Sequence, residues 1–71
     1  MLKYHINIFY SEDNEGFIAT IPDLKGCSAF GETPKEALKE VLIAKELWLE
    51  VVKDKRWEIP KPKYKPITHQ A

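Results

Sequence analysis

Apolar and polar residues alternate at the start of the chain, where Leu2, Tyr4, Ile6, Ile8 and Tyr10 are separated by Lys3, His5, Asn7 and Phe9. A period of two sends the sets to opposite faces of a pleated ribbon, so the spacing predicts a half-buried strand over 2–10. The polar, acidic run 11–16 ends in Gly16 and turns the chain back as a hairpin. A second strand follows over 17–21. Pro22 cannot donate to a sheet ladder, so this strand ends there. Asp23, Leu24, Lys25 and Gly26 then make a turn before a third strand over 27–30.

Beyond Gly31 the period changes. Ala37, Leu38, Val41, Leu42, Ala44, Trp48, Leu49 and Val52 recur at helical spacing, with Lys39, Glu46, Glu50 and Lys53 opposite. Thr33-Pro34-Lys35-Glu36 supplies the start: a Thr cap, a Pro at the first helical position and a Glu whose carboxylate can reach back to the cap. The apolar arc is wider than one sheet covers, because Leu47 and Val51 extend one edge and Ile43 lies farther round. This surplus predicts a second apolar contact, read as a homo-oligomer, dimer or higher, that buries Leu47, Trp48 and Val51. Lys45 falls inside the arc, where its stem either snorkels to solvent or meets a carboxylate across an interface.

After the helix, 56–59 is expected as a short edge strand ended by Pro60. Pro60, Pro62 and Pro66, interleaved with Lys61, Lys63 and Lys65, favour an extended, polyproline-like tail. The pattern therefore predicts an α+β domain over 1–59, a small antiparallel β-sheet with one packed helix, followed by a Pro/Lys-rich tail over 60–71.

Seventy-one residues make one domain. At this size a chain of ~60 residues buries only about 60% of its surface on folding, which again points to burial against a partner. Eleven basic residues balance eleven acidic ones, so there is no global pull toward nucleic acid or anionic membrane. Lone Cys27 excludes an internal disulfide and fits a reducing compartment. No signal-peptide core or membrane-length apolar run occurs, and the expected location is the cytoplasm.

The chemistry-bearing residues do not assemble into a catalytic or metal motif. Strand one carries none of the carboxylates that a two-metal nuclease site requires. Glu12, Asp13 and Glu15 share a solvated hairpin tip, and the twelfth position of the calcium-like run from Ser11 is Pro22 rather than a bidentate Glu. His5, Cys27 and His69 lack the close pair spacing of a zinc set. Cys27 could act as a nucleophile only with a base such as His5 in reach, and the preferred reading is a core thiol. Gly16, Gly26 and Gly31 are too widely spaced for a phosphate loop. No catalytic residue, metal or cofactor is assigned, and the chain is read as a non-enzyme.

The concentrated basic patch is the tail. Lys61, Lys63 and Lys65 with Tyr64 form either a solvated terminus or an electrostatic and stacking arm for nucleic acid. Trp48 and Trp57 serve equally as core or as interface anchors.

Tyr4, Gly16-Phe17-Ile18-Ala19, Ile21-Pro22-Asp23-Leu24, Gly26-Cys27, Gly31-Glu32-Thr33, Glu36-Ala37-Leu38, Leu47-Trp48-Leu49-Glu50 and Ile59-Pro60-Lys61-Pro62 occur in an order and spacing that resembles the HicB antitoxin family over most of the chain. The resemblance implies a β-β-β-α-β domain of degenerate ribonuclease H-like type. It also implies a binding protein that neutralises a HicA-type, messenger-RNA-cleaving toxin by steric masking. Rigidity and exposure of the turn put Asp23, Leu24 and Gly26 at the toxin-facing loop. Family members commonly carry a C-terminal helix-turn-helix or ribbon-helix-helix module; here only the Lys-Pro tail follows Pro60, so direct DNA binding is not implied.

Overall fold

The computed structural model describes residues 3–64. Its elements are β1 (Asn7–Ser11), β2 (Gly16–Thr20), β3 (Ser28–Gly31) and α1 (Pro34–Asp54). The strands form one antiparallel sheet in the order β1-β2-β3, and α1 crosses one face of it, an α+β arrangement.

Register assigns the faces. Ala19 pairs with Ile8 on one side and Ala29 on the other, and Ala19 is fully buried. The row Ile8–Ala19–Ala29 therefore faces the helix, as does the row Tyr10–Phe17–Gly31. The core consists of Ala19, Ile21, Leu24, Cys27, Ala37 and Val41, with Tyr4, Ile6, Phe17, Ala44, Trp48 and Leu49 packed around it. The helix lies mainly on β3 and β2 and only marginally on β1. Tyr10, although on the helix side, consequently stays 56% exposed.

Both ends of α1 are fixed locally. Thr33, in extended conformation, accepts a hydrogen bond from the Glu36 amide on its Oγ1 at 3.1 Å, and Pro34 opens the first turn. Of the two reciprocal capping bonds expected, this is the one the structure shows. At the other end the Trp57 amide donates to Val52 O (2.9 Å) and the Arg56 amide to Lys53 O (3.1 Å), with Arg56 at φ 59°. This pair is a Schellman closure with arginine in the left-handed position that glycine favours. The helix sits close against β3, because a Cβ at Gly31 would collide with the backbone N and Cα of Ala37.

Three expectations are corrected here. The strand over 56–59 does not form: among the described residues there is no fourth strand, so the order is β-β-β-α. Arg56 is used to close the helix in a left-handed conformation, and Pro60 and Pro62 lack the amides that a ladder needs. Strand one begins at Asn7 rather than at position 2, with Tyr4 and Ile6 packed on the core ahead of the ladder and Leu2 outside the described residues. Gly16 is a strand residue rather than the turn glycine, since Glu15 takes the positive φ of 51°. What crowds position 16 is the outer end of the Phe30 ring, which would have to shift to admit a Cβ, with the Gly31 carbonyl oxygen 3.0 Å from the same point.

Candidate partner-binding surface

Residues 21–27 make a loop of two consecutive turns that share Leu24. The Leu24 amide donates to Ile21 O (3.0 Å) and the Cys27 amide to Leu24 O (2.9 Å). Pro22 occupies the second position of the first turn. Gly26, at φ 81°, occupies the third position of the second turn, where a type II turn demands a positive φ. A third bond, from the Ile21 amide to Cys27 O (3.1 Å), closes the base. Leu24 points inward and is completely buried, so it shapes the loop from within, while Pro22, Lys25 and Gly26 are exposed.

The helix reinforces this loop. The Trp48 indole Nε1 donates to Lys25 O at 3.0 Å, and the half-buried ring packs against the core. Beside it a shallow groove of about 280 Å³ is lined by Gly26, Cys27, Ser28, Ala44, Leu47 and Val51 together with Trp48. Leu47 is 59% and Val51 50% exposed. The loop and the helix stripe, read separately in the sequence, thus form one continuous surface that reaches Ser28 at the start of the edge strand β3. Lys45 is half-buried nearby, close enough for its charge to act on Cys27.

Asp23, in the same loop, receives the tail. Its carboxylate accepts the Lys63 amide at 3.1 Å and the Tyr64 amide at 3.1 and 3.2 Å on its two oxygens. The Tyr4 hydroxyl donates to Pro60 O, and the Tyr64 ring lies 4.8 Å from His5, tilted by 41°. Burial, and then the Asp23 charge, push the Tyr4 phenol above its ordinary range. Lys61 and Lys63 are exposed; Lys65 lies outside the described residues.

The candidate chemical groups are occupied elsewhere. His5 Nε2 is 2.7 Å from Asn7 Oδ1. Cys27 is buried, and desolvation raises its thiol pKa despite the opposing charge of Lys45, which disfavours the reactive thiolate. Among the described residues no three His, Cys, Asp or Glu side chains converge as a metal site, and no helix is long and apolar enough to cross a membrane.

Sequence reasoning missed three features. The Asp23 clamp joins residues forty positions apart, and nothing in a one-dimensional pattern marks it. Trp48 carried a signal, since a partly buried indole needs an acceptor. A row formed by Phe9, Ile18 and Phe30 crosses the outer face of the sheet, with Phe9 50% and Phe30 43% exposed. Phe9 at a nominally polar strand position was its sign.

Comparison with known proteins places this architecture. A family model described as HicB-like antitoxin of bacterial toxin-antitoxin systems matches residues 4–70. A UPF0150 protein of a Synechocystis species is 43% identical over 59 residues, covering 83% of this chain and 80% of the relative. A UPF0150 protein of Thermoplasma acidophilum is 33% identical over 70 residues, covering 99% and 100%. One from Helicobacter pylori is 41% identical over 44 residues, covering 62% and 61%. No solved structure gives a significant match. The family match runs from Tyr4 through the double-turn loop and the capped helix into the tail, and on that extent the chain belongs to the HicB-like antitoxin family of bacterial toxin-antitoxin systems.

Proposed function

We propose that this chain neutralises a HicA-type, messenger-RNA-cleaving toxin by covering it, and that it does so in the cytoplasm without making or breaking covalent bonds. The observation that carries this reading is the pre-organised loop. Two fused turns, a buried Leu24 and the Trp48–Lys25 bond fix the exposed backbone of Pro22, Lys25 and Gly26 before any partner arrives, which lowers the entropic cost of docking. In this reading Asp23, Leu24 and Gly26 hold the toxin-facing loop in shape. The adjoining Leu47, Trp48 and Val51 surface takes a second copy of the chain, giving a homodimer or a higher homo-oligomer.

Nothing observed favours the rival reading of a nucleic-acid arm built from Lys61, Lys63, Tyr64 and Lys65. Tyr64 already lies against His5 and its amide is engaged by Asp23, which weighs against its use as a free stacking arm.

Co-expression with a HicA-type toxin tests the proposal. Restored growth and a complex recovered from the lysate are expected; arrested growth with no complex would overturn it. A Gly26→Val variant that keeps the fold should recover less complex, because it strains the left-handed turn position that shapes the loop.

A further inference from the structure

We infer that residues 57–64 are a strap, latched to the loop 22–26 by the Asp23 carboxylate, so that loop and tail hold their positions together until the latch opens. The inference goes beyond toxin neutralisation and does not depend on it.

Three parts of the fold converge on the strap independently. The Schellman closure at Arg56 ends the helix and turns the chain out of it. The Tyr4 hydroxyl then holds Pro60 O, and the Tyr64 ring closes on His5, so the segment ahead of β1 grips the strap at two points. Asp23 supplies the third grip from the loop. With proline at 60 and 62, residues 60–64 own three backbone amides, at Lys61, Lys63 and Tyr64. Asp23 takes two of them, Lys63 on one oxygen and Tyr64 across both.

The chemistry suits a latch. A carboxylate offers two acceptor oxygens on one rigid group, so Asp23 can take both amides at once, here at 3.1–3.2 Å. The prolines pre-set an extended backbone, so little conformational freedom is lost when the strap closes. An asparagine at 23 would keep the shape but lose the charge, and would turn an NH2 toward one of two donors. Because loop and strap share this contact, a ligand that draws the tail away frees the Asp23 carboxylate. A ligand that captures Asp23 releases the tail, with the same coupling in both directions.

Trypsin gives a direct reading, since the bonds after Lys61 and Lys65 precede proline and resist it. The Lys63–Tyr64 bond remains cleavable, and its own amide is held by Asp23. When opening is fast, cleavage follows the population of the open strap, so Asp23→Ala should accelerate cleavage after Lys63 by about tenfold or more. Asp23→Asn should fall between, and Tyr4→Phe should accelerate it through loss of the Pro60 grip. Cleavage after Lys39, inside α1, should stay at the wild-type rate. Equal cleavage after Lys63 in all four proteins would overturn the strap.

Amide exchange in the unmodified protein decides the matter even if the Asp23 variants fail to fold. The Lys63 and Tyr64 amides should be protected by at least about tenfold over an unstructured peptide. Exchange at the peptide rate would overturn the latch.

Discussion

The Trp48 indole and the Lys25 carbonyl, 3.0 Å apart, join the C-terminal half of α1 to the loop. Each would be less ordered alone: the loop lacks a regular ladder, and the helix has apolar surface beyond what the sheet covers. Trp48→Phe keeps most of the ring but removes the donor, and should lower stability by about 0.5–1.5 kcal/mol. Trp48→Ala also removes the packing and should cost about 2–3 kcal/mol for this half-buried ring. Thermal unfolding at fixed protein concentration checks both, since about 1 kcal/mol shifts Tm by roughly 4–8 °C in a domain of this size. A Trp48→Phe melt identical to wild type would show that the bond contributes nothing.

Two non-glycine residues sit in left-handed backbone conformations, Glu15 at φ 51° in the hairpin and Arg56 at φ 59° after the helix. Such positions cost an L-residue roughly 1–2 kcal/mol. Glu15→Gly and Arg56→Gly should therefore each raise stability by about 0.5–1 kcal/mol, after the entropy that glycine adds to the unfolded chain is offset. Gly16→Ala, one position along, should do the reverse, because its new Cβ displaces the end of the Phe30 ring and crowds the Gly31 carbonyl oxygen. Denaturant midpoints for the three variants give the comparison, and a Glu15→Gly midpoint below wild type would contradict it.

The helix and its cap were legible because their signals are local: Thr33, Pro34 and the 3.6-residue stripe specify them without knowledge of the rest of the fold. A single turn over 23–26 was legible for the same reason, since Pro22 ends the strand and Gly26 admits a positive φ, but its doubling through Leu24 was not, because it rests on the Leu24–Ile21 and Cys27–Leu24 bonds. Arg56 misled because its left-handed conformation follows from helix closure rather than residue preference, so 56–59 read as a strand. Gly16 misled because the crowding there comes from Phe30, a cross-sheet neighbour. The Asp23 clamp and the merging of loop and helix flank depend on long-range contacts, to which periodicity is blind.

Stability should decline in mildly alkaline solution. Folding raises the Cys27 thiol above its ordinary 9.0, chiefly by burial, and the Tyr4 phenol above 10.0, by burial and then the Asp23 charge. Both groups are neutral when protonated, so as pH rises the unfolded chain releases these protons before the folded one does. Their contribution is full below about pH 8 and is lost as pH climbs through the unfolded and then the folded values. Equilibrium unfolding between pH 7 and 11 should show this fall, and Cys27→Ala should flatten its first part near pH 9 while leaving the later Tyr4 part. An unchanged slope in Cys27→Ala would remove the thiol as its cause.

The exposed flank of α1 should govern assembly. Leu47 and Val51 are one helical turn apart, more than half and half exposed respectively, beside Ser28 at the start of the edge strand β3. Solvent-exposed pairs of this kind contribute little to a monomer but anchor an apolar interface. Light scattering should give a multiple of the 8.3 kDa chain mass for the unmodified protein. The double variant Leu47→Asp, Val51→Asp should give the monomer mass, because two carboxylates from each copy would be desolvated at the contact. Its helical circular dichroism should match wild type at the same concentration, since neither side chain belongs to the core. A monomer mass for the unmodified chain at high concentration would refute the interface. An oligomer that survives both substitutions would move it elsewhere, to the Phe9–Ile18–Phe30 row on the outer sheet face or to the exposed Leu38, Leu42 and Ile43 on α1.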